Sequence, residues 1–170
     1  MKVDIAIITI RPDEFEAMRE RFKAKRQRIP GGRTYLVGEV RTHDEQVYIV
    51  AIARCSDQGT DASQKLAHYI IHHLNPQLIL VVGIAGGIPH DEFTLGDVVI
   101  STRIVNPNVD AWLADGTTDY MTRGGLAHPV IEDIVSLLPG EPQLADWANS
   151  IPLKRPRLDP EQVDIKGDNE

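Results

Sequence analysis

A single cysteine, no long apolar run and no excess of positive charge set the first limits. Cys55 is the lone cysteine in 170 residues, so no internal disulfide can form and a reducing compartment is expected. No apolar stretch approaches the roughly 20 residues that a membrane helix needs. Lys and Arg number 18 against 25 Asp and Glu, a formal net charge of -7, with a pI near 5.3. That balance argues against nonspecific attraction to nucleic acid or to an anionic membrane surface. Met1-Lys2-Val3-Asp4 leads straight into a strand-like run, so no secretory leader is expected and the chain is read as cytoplasmic. There is no internal repeat, no dinucleotide-binding fingerprint and no P-loop.

What is present is ordinary for a globular domain: 42% hydrophobic and 25% charged residues, in a length that holds one core rather than two. Val3 to Ile10 is a short β-branched run that suits a strand buried on both faces. Pro12 with Asp13 and Glu14 then suits a helix start, proline in the first turn and acid at the positive end of the dipole. Phe15, Met18 and Phe22 recur at helical spacing and predict a helix to about Lys25. The basic run Lys23, Lys25, Arg26 and Arg28 would then close that helix at the dipole's negative end. Gly31-Gly32 marks a turn. Thr34 to Val40 and Gln46 to Ala53 read as a hairpin around Thr42-His43-Asp44-Glu45. A second helix is expected from Gly59-Thr60-Asp61 to His73 or Leu74, stopped by Asn75-Pro76, with Ala62, Leu66, Tyr69, Ile70 and His73 inward.

Leu78 to Val82 is the most strand-like run and is expected at the sheet centre, followed by a strand over Val98 to Val105. Past Asn106 the pattern weakens to a helix over Val130 to Leu138. Residues 1–138 are thus read as one α/β domain and residues 139–170, with five prolines, as an extended tail or insert. The expected architecture has three layers, a central mixed sheet between helices.

Between Leu78 and Ser101 the strand run enters Gly83-Ile84-Ala85-Gly86-Gly87 and a second apolar run follows. Glycine lets a backbone approach a ligand or another backbone closely, and the carboxyl end of a strand is where α/β sheets bind ligands. Composition alone leaves two readings open, a tight interstrand turn or a ligand site.

Gly83-Ile84-Ala85-Gly86-Gly87, followed by Leu95-Gly96-Asp97-Val98-Val99, resembles a hallmark of the nucleoside phosphorylase and 5′-methylthioadenosine/S-adenosylhomocysteine nucleosidase superfamily. Ile7 to Ala17 is similar to the family's first strand and its acidic loop. Gln58-Gly59 and the following helix, ending at Asn75-Pro76, are similar to a third segment. The resemblance spans residues 3 to about 106 in order and spacing. It implies a nucleoside phosphorylase-like fold and a purine nucleoside site. Ala85, Gly86 and Gly87 would lie against the ribosyl purine, with Ile84, Ile10, Arg11 and Gln58 contributing to binding. Glu14 would position and activate the attacking water, since a general base must be ionised and within hydrogen-bond reach. Asp13 and Glu16 are its nearest competitors, and Glu16 points away from the face Glu14 uses.

Family phosphorylases hold phosphate with arginines, whose fork suits oxyanions. Here the loop is acidic and Val81-Val82 precede Gly83, while Arg11 and Arg54 stand off the matching positions. Hydrolysis of the N-glycosidic bond of an adenine or other purine nucleoside or nucleotide is therefore favoured over phosphorolysis. The family's Met-Glu pair and late Ser-Asp segment have no counterpart. The chain is accordingly expected to be about the first two-thirds of the fold, a fragment or a truncated product. A non-catalytic nucleoside- or nucleotide-binding sensor or effector module is the alternative, and a phosphate-dependent phosphorylase is a second one. No cofactor or metal is implied: His68 and His72 lie four apart on a helix, but no third ligand stands at useful spacing. Cys55 reads as a small buried residue, and Trp112 and Tyr120 as packing or interface residues in a loop. The expected partners are a small-molecule purine nucleoside or nucleotide and further copies of the chain in a homo-oligomer, with no nucleic acid and no membrane.

Overall fold

Alternation of buried residues along short strands builds the first half of the molecule. The computed structural model describes residues 2–29, 33–57, 59–86, 97–112 and 118–144, which fall in two compact units, Met1–Gly86 and Gly87–Glu170. The turn at Gly31-Gly32, the candidate site residues Gln58 and Gly87, the pair Leu95-Gly96 and the tail past Leu144 lie outside the described residues.

The first unit runs β1 (Ile5–Thr9), α1 (Pro12–Arg21), β2 (Lys25–Arg28), β3 (Thr34–Arg41), β4 (Val47–Arg54), α2 (Thr60–Leu74), β5 (Leu78–Val81). Its mixed sheet has the order β2-β3-β4-β1-β5. β1 pairs in parallel with β4 and β5, while β3 is antiparallel to β2 and β4. Successive side chains leave a strand on opposite faces, and the core divides accordingly. Ala6, Ile8, Ala51, Ala53 and Tyr35 pack with Leu66, Ile70 and Leu74 of α2. Ile7, Val50, Ile52 and Leu36 pack with Phe15, Met18 and Phe22 of the α1 segment. Helix, sheet and helix are therefore three layers, as the pattern of the sequence implies.

The topology dictates which helix takes which face. The connection from β1 through α1 leads one way along the sheet to β2, past β4 and β3. The connection from β4 through α2 leads back past β1 to β5. Crossovers of the same right hand running in opposite directions lie on opposite faces.

Helix ends follow local chemistry. α2 stops at Asn75 in the left-handed conformation (φ 44°, ψ 55°), whose N–H donates to the Ile71 carbonyl at 3.1 Å. α1 ends at Arg21, short of the expected Lys25. Lys23 turns left-handed at φ 47°. Its N–H reaches the Glu20 carbonyl at 3.2 Å and the Ala24 N–H reaches Arg19 at 3.0 Å. That is the paired hydrogen bonding of a Schellman stop, here with lysine where glycine is usual. The basic run therefore does not cap a helix. It forms β2, exposed along its length, and a charged outer strand discourages edge-to-edge association.

β5 also differs from expectation. Among the described residues it borders the sheet beside β1, and Val81 is 70% exposed. The sequence run is apolar enough for a central strand, but no described strand covers its outer edge. In the second unit, Asp97 to Thr102 carries no strand, and pairing begins later than expected. β6 (Arg103–Trp112) and β7 (Thr118–Leu126) form an antiparallel hairpin, with an irregularity between Val109 and Ala111. Trp112 and Tyr120 thus lie on strands and not in a loop. The hairpin has no clean alternation in sequence, since Asn106, Pro107, Asn108 and Gly124-Gly125 interrupt it. α3 (Pro129–Leu137) and two 3-10 turns, Leu138–Gly140 and Pro142–Leu144, follow.

Thr9 is fully buried and its Oγ1 has no hydrogen-bond partner among the described residues. A buried hydroxyl without a partner costs free energy that an isosteric methyl would not. Thr9→Val should raise the urea midpoint, by a stabilisation of about 1 kcal/mol. A loss of stability would show that Thr9 Oγ1 is satisfied in solution.

Candidate functional site

The carboxyl ends of β1, β4 and β5 lie side by side because the three strands are parallel and in register, Thr9 opposite Arg54 and Ile8 opposite Val81. The helices that follow β1 and β4 leave to opposite faces. Adjacent parallel strands whose helices diverge leave a crevice at their carboxyl ends, the usual ligand position in such sheets.

Glu14 sits there, in the first turn of α1. Its Oε2 accepts the Ile10 N–H at 3.0 Å and the Arg11 N–H at 2.8 Å. Its Oε1 accepts the Ile84 N–H at 2.8 Å, seventy residues away in sequence. The Arg11 contact is the returning half of a capping box, a glutamate at the third helical position bonded to the N-cap amide. The Ile84 contact goes beyond capping and ties the β1–α1 turn to the loop after β5. Bonds from the Arg11 and Ile84 amides, with a smaller one from Ile10, hold the Glu14 carboxyl below its ordinary value of 4.5, because each donor favours the charged form. A carboxylate has about four acceptor sites. Three are taken by main-chain amides, which leaves Oε1 able to accept one more donor.

Gly83 owes its small size to this arrangement. A Cβ placed on it would lie 3.0 Å from Glu14 Oε1 and 3.3 Å from its Cδ. The protein's own carboxylate, and not a ligand, fills the space beside Gly83. Gly86 differs, since a Cβ placed there would have nothing within 4 Å. Ala85 and Gly86 are exposed just past β5.

Asp13 and Glu16 have other occupations. Asp13 holds the Arg11 guanidinium by Nε at 3.0 Å and Nη2 at 2.9 Å, and accepts the Glu14 N–H at 3.1 Å. The Arg11 bond is the main reason its carboxyl lies below the ordinary range. Glu16 pairs with Arg19 one turn along the helix. Of the residues singled out in sequence, Ile10, Arg11, Glu14 and Ile84 therefore meet in one set of bonds.

A cavity of about 630 Å3 opens at the start of α2, lined among others by Arg33, Ser56, Asp57, Thr60, Lys65 and Tyr69. Glu14 is not among its lining. The Arg33 guanidinium stacks over the Tyr69 ring at 5.3 Å from its centroid, a cation–π contact. Tyr69 is 47% exposed, so this ring faces the cavity where helical spacing predicts core. Gly59 at the cavity rim has φ 119°, a conformation open to glycine. A glycine directly before the helix is the one sequence signal for the cavity. Cys55 is buried at its base. Among the described residues no three His, Cys, Asp or Glu side chains gather as metal ligands. Among them, too, no helix is long and apolar enough to cross a membrane.

Sheet order, helix placement and the glutamate turn define a nucleoside phosphorylase-like α/β/α fold. Residues 4–151 match the family model of the Phosphorylase superfamily, and the chain belongs to that superfamily. Solved structures with the same fold include the 5′-methylthioadenosine/S-adenosyl homocysteine nucleosidase of Campylobacter jejuni, 16% identical with a TM-score of 0.53. The Helicobacter pylori nucleosidase is another, 21% identical with a TM-score of 0.54 in a complex with a pyrrolidine-based ligand. These alignments cover 81% and 85% of this chain but 59% and 62% of those proteins. The chain thus spans about three-fifths of their length. No curated protein sequence matches it significantly.

Proposed function

We propose that this chain forms the glutamate-bearing part of a purine nucleosidase-type site, which hydrolyses the N-glycosidic bond of a purine nucleoside or nucleotide. The observation that carries this reading is the Glu14 carboxylate, held ionised at the carboxyl ends of β1 and β5 with one acceptor site unused among the described residues. In the proposed step the bond from C1′ to the purine nitrogen breaks and a bond from C1′ to water oxygen forms. The water proton passes towards Glu14. The departing purine takes a proton from an acid for which residues 1–170 offer no sequence counterpart.

Three amide bonds make Glu14 a weak base, and this fits the chemistry. A sugar with oxocarbenium character is a strong electrophile and needs little help from a base. Glu14 then acts mainly by orienting water and by its negative charge, which stabilises the developing cation. Ala85 and Gly86 supply open main chain beside it for the sugar and base, and the matching proposal extends to Gln58 and Gly87.

The same three bonds also favour a second reading. A carboxylate used to clamp two loops can serve a binding module that performs no chemistry. Free-base release, followed by chromatography, separates the two. The protein is incubated with adenosine, methylthioadenosine, inosine, AMP and ATP, with and without phosphate. Release in phosphate-free buffer supports hydrolysis. Release only with phosphate would make phosphorolysis the reaction, and ligand binding without release would leave the binding module.

A further inference from the structure

The β1–α1 turn presents an arginine as well as a glutamate. Arg11 is the N-cap of α1, and its amide is one of the three that bind Glu14. Its guanidinium lies in a fork on Asp13, through Nε and Nη2. Asp13 in turn accepts the Glu14 N–H. The guanidinium is therefore oriented with respect to the Glu14 carboxylate by a closed ring of bonds over four residues.

This pair contributes little to stability. Both side chains are more than half exposed, and such pairs are worth about 0–1 kcal/mol. What the pair achieves is orientation. An arginine has five N–H donors, and two of them serve Asp13. Three remain, on Nη1 and the second position of Nη2, directed by a rigid plane that matches phosphate oxygens. Arg54 stands one strand away, opposite Thr9 in register and exposed. No ion pair engages it among the described residues. Two arginines thus stand at the carboxyl ends of β1 and β4, the strand ends that border the proposed reaction centre.

We infer that the substrate carries a phosphoryl group, and that Arg11, held by Asp13 and aided by Arg54, binds it at the rim of the glutamate site. The inference rests on the nucleosidase reading of that site and narrows its substrate to a nucleotide. Phosphate lies at the rim because the Glu14 carboxylate would repel it at the centre. A neutral 5′ substituent would leave both arginines without a ligand partner.

Calorimetric titration of the full chain tests this without requiring turnover. AMP, adenosine and inorganic phosphate are the probes. AMP is expected to bind about ten- to a hundredfold tighter than adenosine, the scale of charge-assisted hydrogen bonds, with a gap that narrows as salt rises. Arg11→Gln should close most of the gap. Arg11→Lys keeps the charge without the fork and should leave an intermediate gap, which separates recognition from misfolding. Equal affinities for AMP and adenosine would overturn the inference while leaving the nucleosidase reading intact. A gap unchanged in both Arg11→Gln and Arg54→Gln would overturn it too. If inorganic phosphate raised adenosine affinity to that of AMP, the arginines would serve a co-reactant instead, which also overturns it. Failure of both purine ligands to bind would overturn both the inference and the reading beneath it.

Discussion

Glu14→Gln is expected to reduce base release by about 10²- to 10⁴-fold, the usual contribution of a positioned acid–base group, while ligand affinity changes little. Glutamine keeps the length and one acceptor oxygen. It loses the negative charge that favours an oxocarbenium-like sugar, and its amide nitrogen cannot accept from a main-chain N–H. If that nitrogen faces Ile84, an N–H meets an N–H and the loop after β5 is released. If it faces Ile10 and Arg11, the α1 turn is released instead. Stability should therefore fall together with the rate. The thermal midpoint and kcat, measured on the same preparation, check both effects. A parental rate with a lowered midpoint would make Glu14 a clamp alone.

The same carboxylate sets an acid limit. The folded-state pKa of Glu14 lies below its ordinary value of 4.5, chiefly through the Arg11 and Ile84 amides. A depressed carboxylate stabilises the fold at pH values above its unfolded pKa, and the stabilisation is lost as pH falls through the folded pKa. Glu14 should thus add nothing to the pH dependence of stability between about pH 6 and pH 8, well above the carboxylate range near 4. In wild type its share should vanish only in the acid range under 4.5, and Glu14→Gln should flatten that limb of the stability profile. An unchanged acid limb in the variant would contradict the three-bond description.

Gly38→Ala should be the most damaging single-methyl change in the first unit. Gly38 lies on β3, on the face that α1 covers. A Cβ there would meet the Phe22 carbonyl oxygen at 2.5 Å and the Phe22 Cβ at 3.2 Å. The first contact is with main chain, which no rotamer change can relieve. Either β3 or the end of α1 must move, and such overpacking costs about 1–3 kcal/mol or more. Phe22 caps α1 just before the left-handed Lys23, so the displacement would strain the Schellman stop as well. Urea unfolding measures the loss. A midpoint equal to that of wild type would show that α1 sits farther from β3 than the structure places it.

Much of the fold is legible in the sequence because it depends on local periodicity. β1, the β3–β4 hairpin, α2 and α3 follow from β-branched runs, a polar turn and 3.6-residue spacing. The three layers follow from two helices that alternate with parallel strands. The end of α1 is not legible, because Lys23 takes a conformation usually signalled by glycine, and β2 then looks like helix. β5 reads as central because hydrophobicity reports how apolar a strand is and not how many neighbours it has. The late hairpin is hidden because a proline, asparagines and glycines interrupt alternation without preventing pairing.

In the candidate site, Glu14 is visible as acid in a first helical turn, but its bond to Ile84 is not. That contact joins residues seventy apart, and only the parallel register of β1 and β5 brings them together. Gly83 is visible as a small residue whose neighbour the sequence does not name, and the neighbour is Glu14. The places of Arg33, Lys65 and Tyr69 around the α2 cavity leave no mark in spacing, since Tyr69 falls on the helical period of the core.

The amide spectrum of the isotopically labelled protein tests the location of the site most directly. Adenosine and AMP would be titrated while the Ile10, Arg11 and Ile84 N–H signals are followed, since these three report on the Glu14 carboxylate. Saturable shifts of all three, with Ala85 and Gly86 moving alongside, are predicted. Shifts confined to the Lys65 and Tyr69 region, with the three Glu14 donors unmoved, would place the ligand in the α2 cavity and contradict the account.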